Sequence, residues 1–271
     1  MILHALLSLL FLTLPCVLPF TLQRAAQRAA PLTRYTALYS SNNNANSYSA
    51  QASILLAKAE LLNLGTSTNR GFTSTPAERK QITKLISTLT SSSPPPSLSN
   101  IASSPLLGKW TLIYTDAPDI TSLDSSPAAR LGRIGQEITS SGPSKLLVKN
   151  VIEYLRPAWL DSLPLPSALI GGSSDDRVIQ KVVTEGSTST SNQSTINLSI
   201  KGAEFYTEGD DTSLPYALRR LRDRPIDLKG GGGLPFGSFE VLYLDGGVRI
   251  SRTSNDHVAV NVKDDAGSAW F

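Results

Sequence analysis

The spacing of apolar residues changes along the chain from a helical period to a strand period. Between residues 51 and 90 apolar side chains recur three or four positions apart, which is typical of amphipathic helices. One helix is predicted over residues 51–64, and Gly65 is expected to end it. A second helix is predicted after Thr75, because Glu78 three residues later completes a capping-box pattern and Pro76 suits the first helical position.

The second predicted helix carries a single apolar stripe. Its members are spaced for one helical face: Ile82, Leu85, Ile86 and Leu89. Such a stripe usually packs against the body of its own domain, whereas the alternative is a helix that lies on a membrane surface. We expect the first arrangement, so the helices over residues 51–90 should cover part of the domain that follows them.

From residue 106 onward the apolar residues recur with a period of two, which predicts strands. In the first strand Trp110, Leu112 and Tyr114 are expected to share one face. The other strand-like segments are 134–138, 146–155, 178–184, 195–201, 241–244, 248–251 and 258–263, and a short strand near 203–206 would be a ninth. Eight or nine such strands over 106–265 predict a mainly β fold, an antiparallel barrel or sandwich after two N-terminal helices.

Two short segments favour the barrel and suggest how it is closed. Gly108 and Trp110 open the first strand as a Gly-x-Trp motif, and a late hairpin carries Arg249 and Arg252 on its return strand. A Trp on the first strand and an Arg on a late strand are typical of the narrow end of small closed β-barrels. Such barrels hold apolar ligands rather than perform chemistry.

The dipeptide Asp245-Gly246 predicts a two-residue hairpin loop. With that loop Arg252 lies on the same apolar face as Tyr243, Arg249 points to the other face, and a loop one residue later leaves the face of Arg252 unchanged. A charge on an apolar face needs a partner, which Trp110 or a nearby carboxylate would provide. The alternative is that Arg252 lies at the strand end and reaches solvent.

The positive charge of the chain is concentrated near its beginning. The 271 residues carry a formal net charge of +3, yet no acidic residue precedes Glu60, and Arg24, Arg28 and Arg34 lie in that acid-free region. Without residues 1–49 the basic and acidic residues are equal in number. The composition therefore gives no reason to expect a nucleic-acid partner.

Residues 1–49 resemble a targeting leader in two parts. Residues 5–18 are an apolar run shorter than the ~20 residues that span a bilayer, and residues 1–19 are signal-peptide-like. Residues 20–49 are rich in Ser, Ala, Asn and Arg, as in disordered transit peptides. Together, with Phe20 at the junction, they resemble the bipartite leader of plastid proteins in algae with secondary plastids. The alternative is a secretory leader. Asn192 and Asn197 fit the glycosylation pattern, which would matter only in a secreted protein.

Few residue types are available for catalysis or metal binding. Cys16 lies in the leader, so residues 50–271 hold no disulfide, thiolate metal site or cysteine nucleophile. His257 is the only histidine beyond the leader, and no Gly-x-Ser-x-Gly elbow is present. We expect no metal, no cofactor and no enzymatic activity. The alternative is an enzyme with an apolar substrate, for which Asp245, Glu240 and Asp116 are candidate acids.

A run of basic residues stands apart from this charge balance. Four arginines lie beside Leu218 and Leu221: Arg219, Arg220, Arg222 and Arg224. Such runs are usually solvated faces. The alternative is attachment to an anionic membrane or lipid-particle surface, to which each basic residue contributes ~1 kcal/mol.

The late hairpin also carries the clearest family signature. Residues 243–252, Tyr-Leu-Asp-Gly-Gly-Val-Arg-Ile-Ser-Arg, resemble the Tyr-Leu-Asp…Leu-Arg-Ile-x-Arg signature of the plastid lipid-associated proteins, also called fibrillins. The resemblance extends over roughly residues 53–263 and includes 82–89, 107–115, 132–138 and 150–154.

This resemblance implies a lipocalin-like barrel in plastids, associated with plastoglobules or thylakoids. Its ligands would be carotenoids, quinones or acyl lipids, and the alternative is a structural coat protein of plastid lipid particles. The candidate residues for ligand binding or barrel closure are Trp110, Tyr114, Tyr243, Asp245, Arg249 and Arg252.

Overall fold

A computed structural model describes residues 45–98, 100–123, 130–142, 144–155, 177–208, 226–227 and 234–264. The chain divides into two compact units, Met1–Ser53 and Ile54–Phe271. Only the beginning of a helix is described in the first unit, so nearly all of the predicted leader lies outside the described residues. The second unit contains the strands.

Two long helices precede the strands, as the apolar spacing predicts. Helix α1 spans Ala45–Ser67 and helix α2 spans Pro76–Ser91. The predicted capping box of α2 is present, since Thr75 accepts a hydrogen bond from the amide of Glu78 and the Glu78 side chain accepts one from the amide of Thr75. Within the part of the chain that the structure describes, no helix is both long and apolar enough to cross a membrane.

Nine strands follow, together with a 3₁₀ turn at Ile101–Ser103 and a short helix α3 at Pro118–Thr121. The strands are β1 Gly108–Thr115, β2 Arg130–Gly142, β3 Lys145–Leu155, β4 Arg177–Thr188, β5 Thr195–Glu208, β6 Ile226–Asp227, β7 Leu234–Leu244, β8 Val248–Thr253 and β9 Val258–Lys263. Their order in the sheet is β4-β3-β2-β1-β9-β8-β7-β5-β6, and β4 also pairs with β5. Eight antiparallel strands therefore close a barrel, and the short β6 lies beside β5. The barrel is confirmed, and the expected short strand near 203–206 is the second half of β5.

The helices cover the outside of the barrel along β1, β7, β8 and β9. The apolar residues of α1 and α2 that pack there are Ala57, Leu61, Ile82, Leu85, Ile86 and Leu89. They meet Ile113, Tyr114, Tyr243, Val248, Ile250 and Val260 of the strands. The stripe on α2 is thus buried within the domain, which confirms the expected packing.

Helix α1 does not end at Gly65, contrary to the prediction. It continues to Ser67, and a side-chain Cβ at position 65 would lie 2.7 Å from the carbonyl oxygen of Ile113. Real Cβ atoms do not approach that closely. Gly65 therefore allows α1 to lie directly against β1, and its conformational freedom is not used to terminate the helix.

A bulge in β1 changes which side chains share a face. Trp110 and Leu112 point into the barrel, but the pairing with β9 shifts between Leu112 and Tyr114. The extra residue, Ile113, turns Tyr114 to the outer face beneath the helices. The prediction that all three residues share a face is therefore wrong for Tyr114.

The late hairpin turns one residue later than predicted. Asp245 pairs with Val248 through a backbone hydrogen bond of 3.0 Å, so Gly246 and Gly247 form the loop. The side chain of Asp245 accepts hydrogen bonds from the amides of Gly247 and Val248, both at 2.8 Å, and so holds the loop from its first paired position. Strand β7 contains a second bulge, at Leu242, shortly before this loop.

Candidate functional site

The barrel interior is apolar at the end where β1 begins. Trp110 is fully buried there, and its indole Nε1 donates a hydrogen bond of 2.8 Å to the carbonyl of Leu106. The segment before β1 lies across this end. The cluster consists of Leu98, Ile101, Leu106, Trp110, Ile138, Leu146, Val148, Ile196, Leu198, Phe239 and Val241. This end of the interior is therefore filled by side chains.

A polar layer lies next to the apolar cluster. Arg249 of β8 is 1% exposed, and its guanidinium carbon lies 5.1 Å from the centre of the Trp110 ring and 5.8 Å from that of Phe239. Its Nη2 donates a hydrogen bond to Oε1 of Gln136, whose Nε2 donates one of 2.7 Å to Oδ1 of Asn150. A connected row of polar side chains thus crosses the inside of β8, β2 and β3.

Several polar atoms of this layer are buried without a partner. They are Nε and Nη1 of Arg249, Nδ2 of Asn150 and Oδ1 of Asn261. Burial lowers the pKa of Arg249 to about 9, and no charged group among the described residues offsets that effect. Since buried polar groups in folded proteins are usually satisfied, these atoms give the layer free binding capacity.

Arg252 is not the arginine that meets Trp110, contrary to the prediction. Its side chain is 45% exposed at the outer face near the end of β8, where Nη2 donates a hydrogen bond of 2.8 Å to Oε2 of Glu240. Neighbouring residues of a strand point to opposite sides of the sheet, so an odd separation places Arg249 inside when Arg252 is outside. The alternative that Arg252 reaches solvent at the strand end is the correct one.

Lys263 is a second cation at Trp110 that the sequence did not reveal. It lies directly opposite Trp110 in the pairing of β9 with β1, with its Nζ 5.3 Å from the centre of the indole ring. The same Nζ donates a hydrogen bond of 2.9 Å to the carbonyl of Pro105. Lys263 therefore fastens the segment that covers the apolar end, and a correct β1–β9 register would have been the only signal for it.

Tyr243 and Asp245 lie outside the barrel, where they bind helix α1. Lys58 of α1 forms an ion pair with Asp245, and the hydroxyl of Tyr243 donates a hydrogen bond of 2.7 Å to the same carboxylate. Partial burial would raise the pKa of Asp245, but the hydrogen bonds it accepts outweigh burial and lower that pKa to about 2. Lys58 carries no sequence signal for this role, because 187 positions separate it from Asp245.

The structure therefore separates the candidate residues into two groups. Trp110 and Arg249 meet inside the barrel, whereas Tyr114, Tyr243, Asp245 and Arg252 lie on its outer face. The basic cluster lies outside the described residues, so its contact with a membrane surface stays a prediction: Arg219, Arg220, Arg222 and Arg224.

The candidate acids of the enzyme alternative each hold a different part of the fold. Glu240 binds Arg252 and accepts a hydrogen bond of 3.1 Å from Asn192. Asp116 accepts one of 2.7 Å from the amide of Val258 and lies 3.7 Å from Nδ1 of His257. Within the described ranges, no group of three or more acidic, His or Cys side chains could hold a metal ion.

A protein-family model matches the chain. The model of the PAP_fibrillin family matches residues 56–261, which include about half of α1, all of α2 and nearly the whole barrel. No curated protein sequence matches the chain.

Proposed function

The chain belongs to the PAP_fibrillin family of plastid lipid-associated proteins, and we propose that it binds apolar metabolites or lipids in the plastid without catalysing a reaction. The family is generally structural and lipid-associated rather than enzymatic. The proposed ligand is a carotenoid, a quinone or an acyl lipid held within the barrel. The proposed setting is the surface of plastoglobules or thylakoids.

The observation that carries this proposal is the two-part interior of a closed barrel. One end is filled by an apolar cluster around Trp110, and the adjoining layer contains polar atoms that have no partner among the described residues. An apolar ligand would gain ~25 cal/mol for each Å² of apolar surface that leaves water, less the entropy lost on binding. The polar end of a largely apolar molecule would meet this polar layer, and its apolar part would run away from the filled end, along Leu112, Ile134 and Ile152.

Extraction of the native protein with organic solvent is expected to release such a ligand. Mass spectrometry of the extract should identify a carotenoid, quinone or acyl lipid in a fixed ratio to protein. Val182 faces the interior beside Asn150, whereas its neighbour Val183 faces outward beside Lys149. Val182→Phe should therefore reduce the bound ligand, and the control variant Val183→Phe should leave it unchanged.

The proposal fails if the native protein releases no apolar ligand on extraction and the purified protein binds none of the apolar compounds added to it. A protein that coats lipid particles without a stoichiometric ligand would instead be a structural coat protein. Thermal unfolding of both variants should be measured first, because an added ring in a packed interior costs about 1–3 kcal/mol. Loss of ligand counts only at a temperature where both variants remain folded.

We further propose that residues 1–49 deliver the protein to a secondary plastid. A fluorescent protein fused behind these residues should enter the plastid of an alga with secondary plastids. Deletion of residues 5–18 should leave the fusion protein in the cytosol, because residues 20–49 have no route of their own across the outermost membrane. Secretion of the intact fusion into the medium would contradict the proposal, and so would glycan on Asn192 or Asn197 of the native protein.

A further inference from the structure

The polar layer inside the barrel contains a positive charge without a counter-ion among the described residues. On the outer face Arg252 is paired with a carboxylate, that of Glu240. Arg249 is instead enclosed by the rings of Trp110 and Phe239 and by one amide oxygen, that of Gln136. A charge taken out of water without an opposite charge is costly, so its retention at this depth needs an explanation.

Barrel closure alone does not explain this arginine. An apolar side chain of similar volume would pack against Trp110 without the cost of desolvating a charge. Closure of the apolar end also has another cation, because Lys263 contacts Trp110 and the carbonyl of Pro105. The N–H groups on Nε and Nη1 of Arg249 contribute nothing to closure of the apolar end, since they are buried without a partner.

The free donors in this layer share one chemical preference. Nε and Nη1 of Arg249 and Nδ2 of Asn150 all donate hydrogen bonds, and Gln136 links the two residues through its own amide. The layer also has a free acceptor, Oδ1 of Asn261 opposite Arg249, which the three free donor atoms outnumber. Donors next to a buried positive charge favour an anionic acceptor, because hydrogen bonds between charged groups are shorter and stronger than neutral ones. A carboxylate satisfies both requirements.

We propose that Arg249 and Asn150 bind the carboxylate of a long-chain carboxylic acid whose hydrocarbon chain lies inside the barrel. The inference rests on the proposed function and narrows it, from apolar ligands in general to those with an acidic head. The hydrocarbon chain runs away from the filled end, along the inward residues Leu112, Ile134 and Ile152, which are all buried. Neutral carotenoids and quinones lack the negative charge that this layer favours.

The test compares the binding of oleate with that of methyl oleate by calorimetry, using the full chain. The two probes share one hydrocarbon chain, but only oleate carries a carboxylate. Wild-type protein should bind oleate at least about tenfold more tightly, as expected for one charge-assisted hydrogen bond. Arg249→Met should bind both probes equally. The matched control Arg252→Met, which removes an arginine from the outer face, should retain the full preference.

A second readout reports the carboxylate directly. The ¹³C resonance of [1-¹³C]oleate should titrate at lower pH when it is bound to wild-type protein than when it is bound to Arg249→Met, because the guanidinium stabilises the ionised form. A variant that removes only one neutral donor, Asn150→Leu, should lower the preference for oleate severalfold. It provides the test in the event that Arg249→Met does not fold.

The outcomes separate this inference from the proposed function. Equal binding of the two probes to wild-type protein overturns the carboxylate site and leaves apolar binding intact. A preference that survives in Arg249→Met also overturns the assignment. Where Arg249→Met does not fold, an undiminished preference in Asn150→Leu does so. Binding of neither probe, together with the absence of any ligand in the native extract, rejects both.

Discussion

Trp110→Ala is expected to lower the free energy of unfolding by about 3–5 kcal/mol, the usual cost of truncating a large buried aromatic side chain. The indole is fully buried, and its Nε1 donates the hydrogen bond that fixes Leu106 above it. Its removal would leave a cavity between the covering segment and the polar layer. Urea unfolding followed by far-ultraviolet circular dichroism measures the loss. A cost below about 1 kcal/mol would show that Trp110 does not support the barrel end.

A double-mutant cycle tests which arginine shares its environment with Trp110. The effects of Trp110→Ala and Arg249→Met should be non-additive, because the guanidinium lies 5.1 Å from the centre of the ring. The same cycle with Arg252→Met is the control. It should be additive within about 0.5 kcal/mol, since Arg252 binds Glu240 on the outer face. The opposite pattern would mean that the β8 register is wrong.

Asp245→Asn is expected to destabilise the protein by about 1.5–3 kcal/mol at neutral pH, the usual contribution of hydrogen bonds to a charged group. The carboxylate accepts hydrogen bonds from Lys58, from the hydroxyl of Tyr243 and from two amides of the hairpin loop. It therefore joins helix α1 to the β7–β8 hairpin. An amide in its place would direct N–H donors at groups that already donate.

The same carboxylate should make stability depend on pH. The folded-state pKa of Asp245 is about 2, below the value of about 3.9 for an unfolded aspartate. Its contribution is complete above the unfolded pKa and is lost as the pH falls from about 5 towards 2. Thermal melts of wild-type protein and Asp245→Asn should therefore converge over that range.

Asp256→Asn is the matched control, because the Asp256 side chain is 90% exposed and lies 4.0 Å from Nε of Arg252, its one ion-pair contact among the described residues. It should change the stability by no more than about 0.5 kcal/mol. A difference between wild-type protein and Asp245→Asn that stays constant down to pH 2 would show that ionisation of Asp245 does not link the helix to the hairpin.

Trp110 and Arg249, the two candidate residues inside the barrel, have different consequences for the protein. Trp110 and its apolar neighbours determine whether the barrel end is closed, and their effect is measured as stability. Arg249 is expected to cost stability rather than add to it, because a buried charge can often be replaced by an apolar side chain without loss. A stable Arg249→Met variant with altered ligand preference would therefore separate binding from folding.

Local patterns in the sequence determined the helices and strands and their order along the chain. The capping box at Thr75 and the apolar stripe of α2 involve residues within one or two helical turns, so the helix can be predicted without its surroundings. Alternating residues predicted the strands for the same reason. Closure of the barrel and the family followed from the Gly-x-Trp motif and the late hairpin, and the match over residues 56–261 confirms that family.

The hairpin pattern correctly placed Arg252 on the face of Tyr243 and Arg249 on the opposite face, but only the tertiary structure decided which of the two faces lies inside the barrel. A period-two reading assumes an unbroken strand, and the bulges at Ile113 and Leu242 break that assumption in β1 and β7. Each bulge moves the residues on one side of it to the opposite face, so Tyr114 lies under the helices while Trp110 lies inside. The contacts of Lys58 and Lys263 join positions far apart in the chain, and they exist only because packing of the helices and strands fixes one register among those that the local sequence allows.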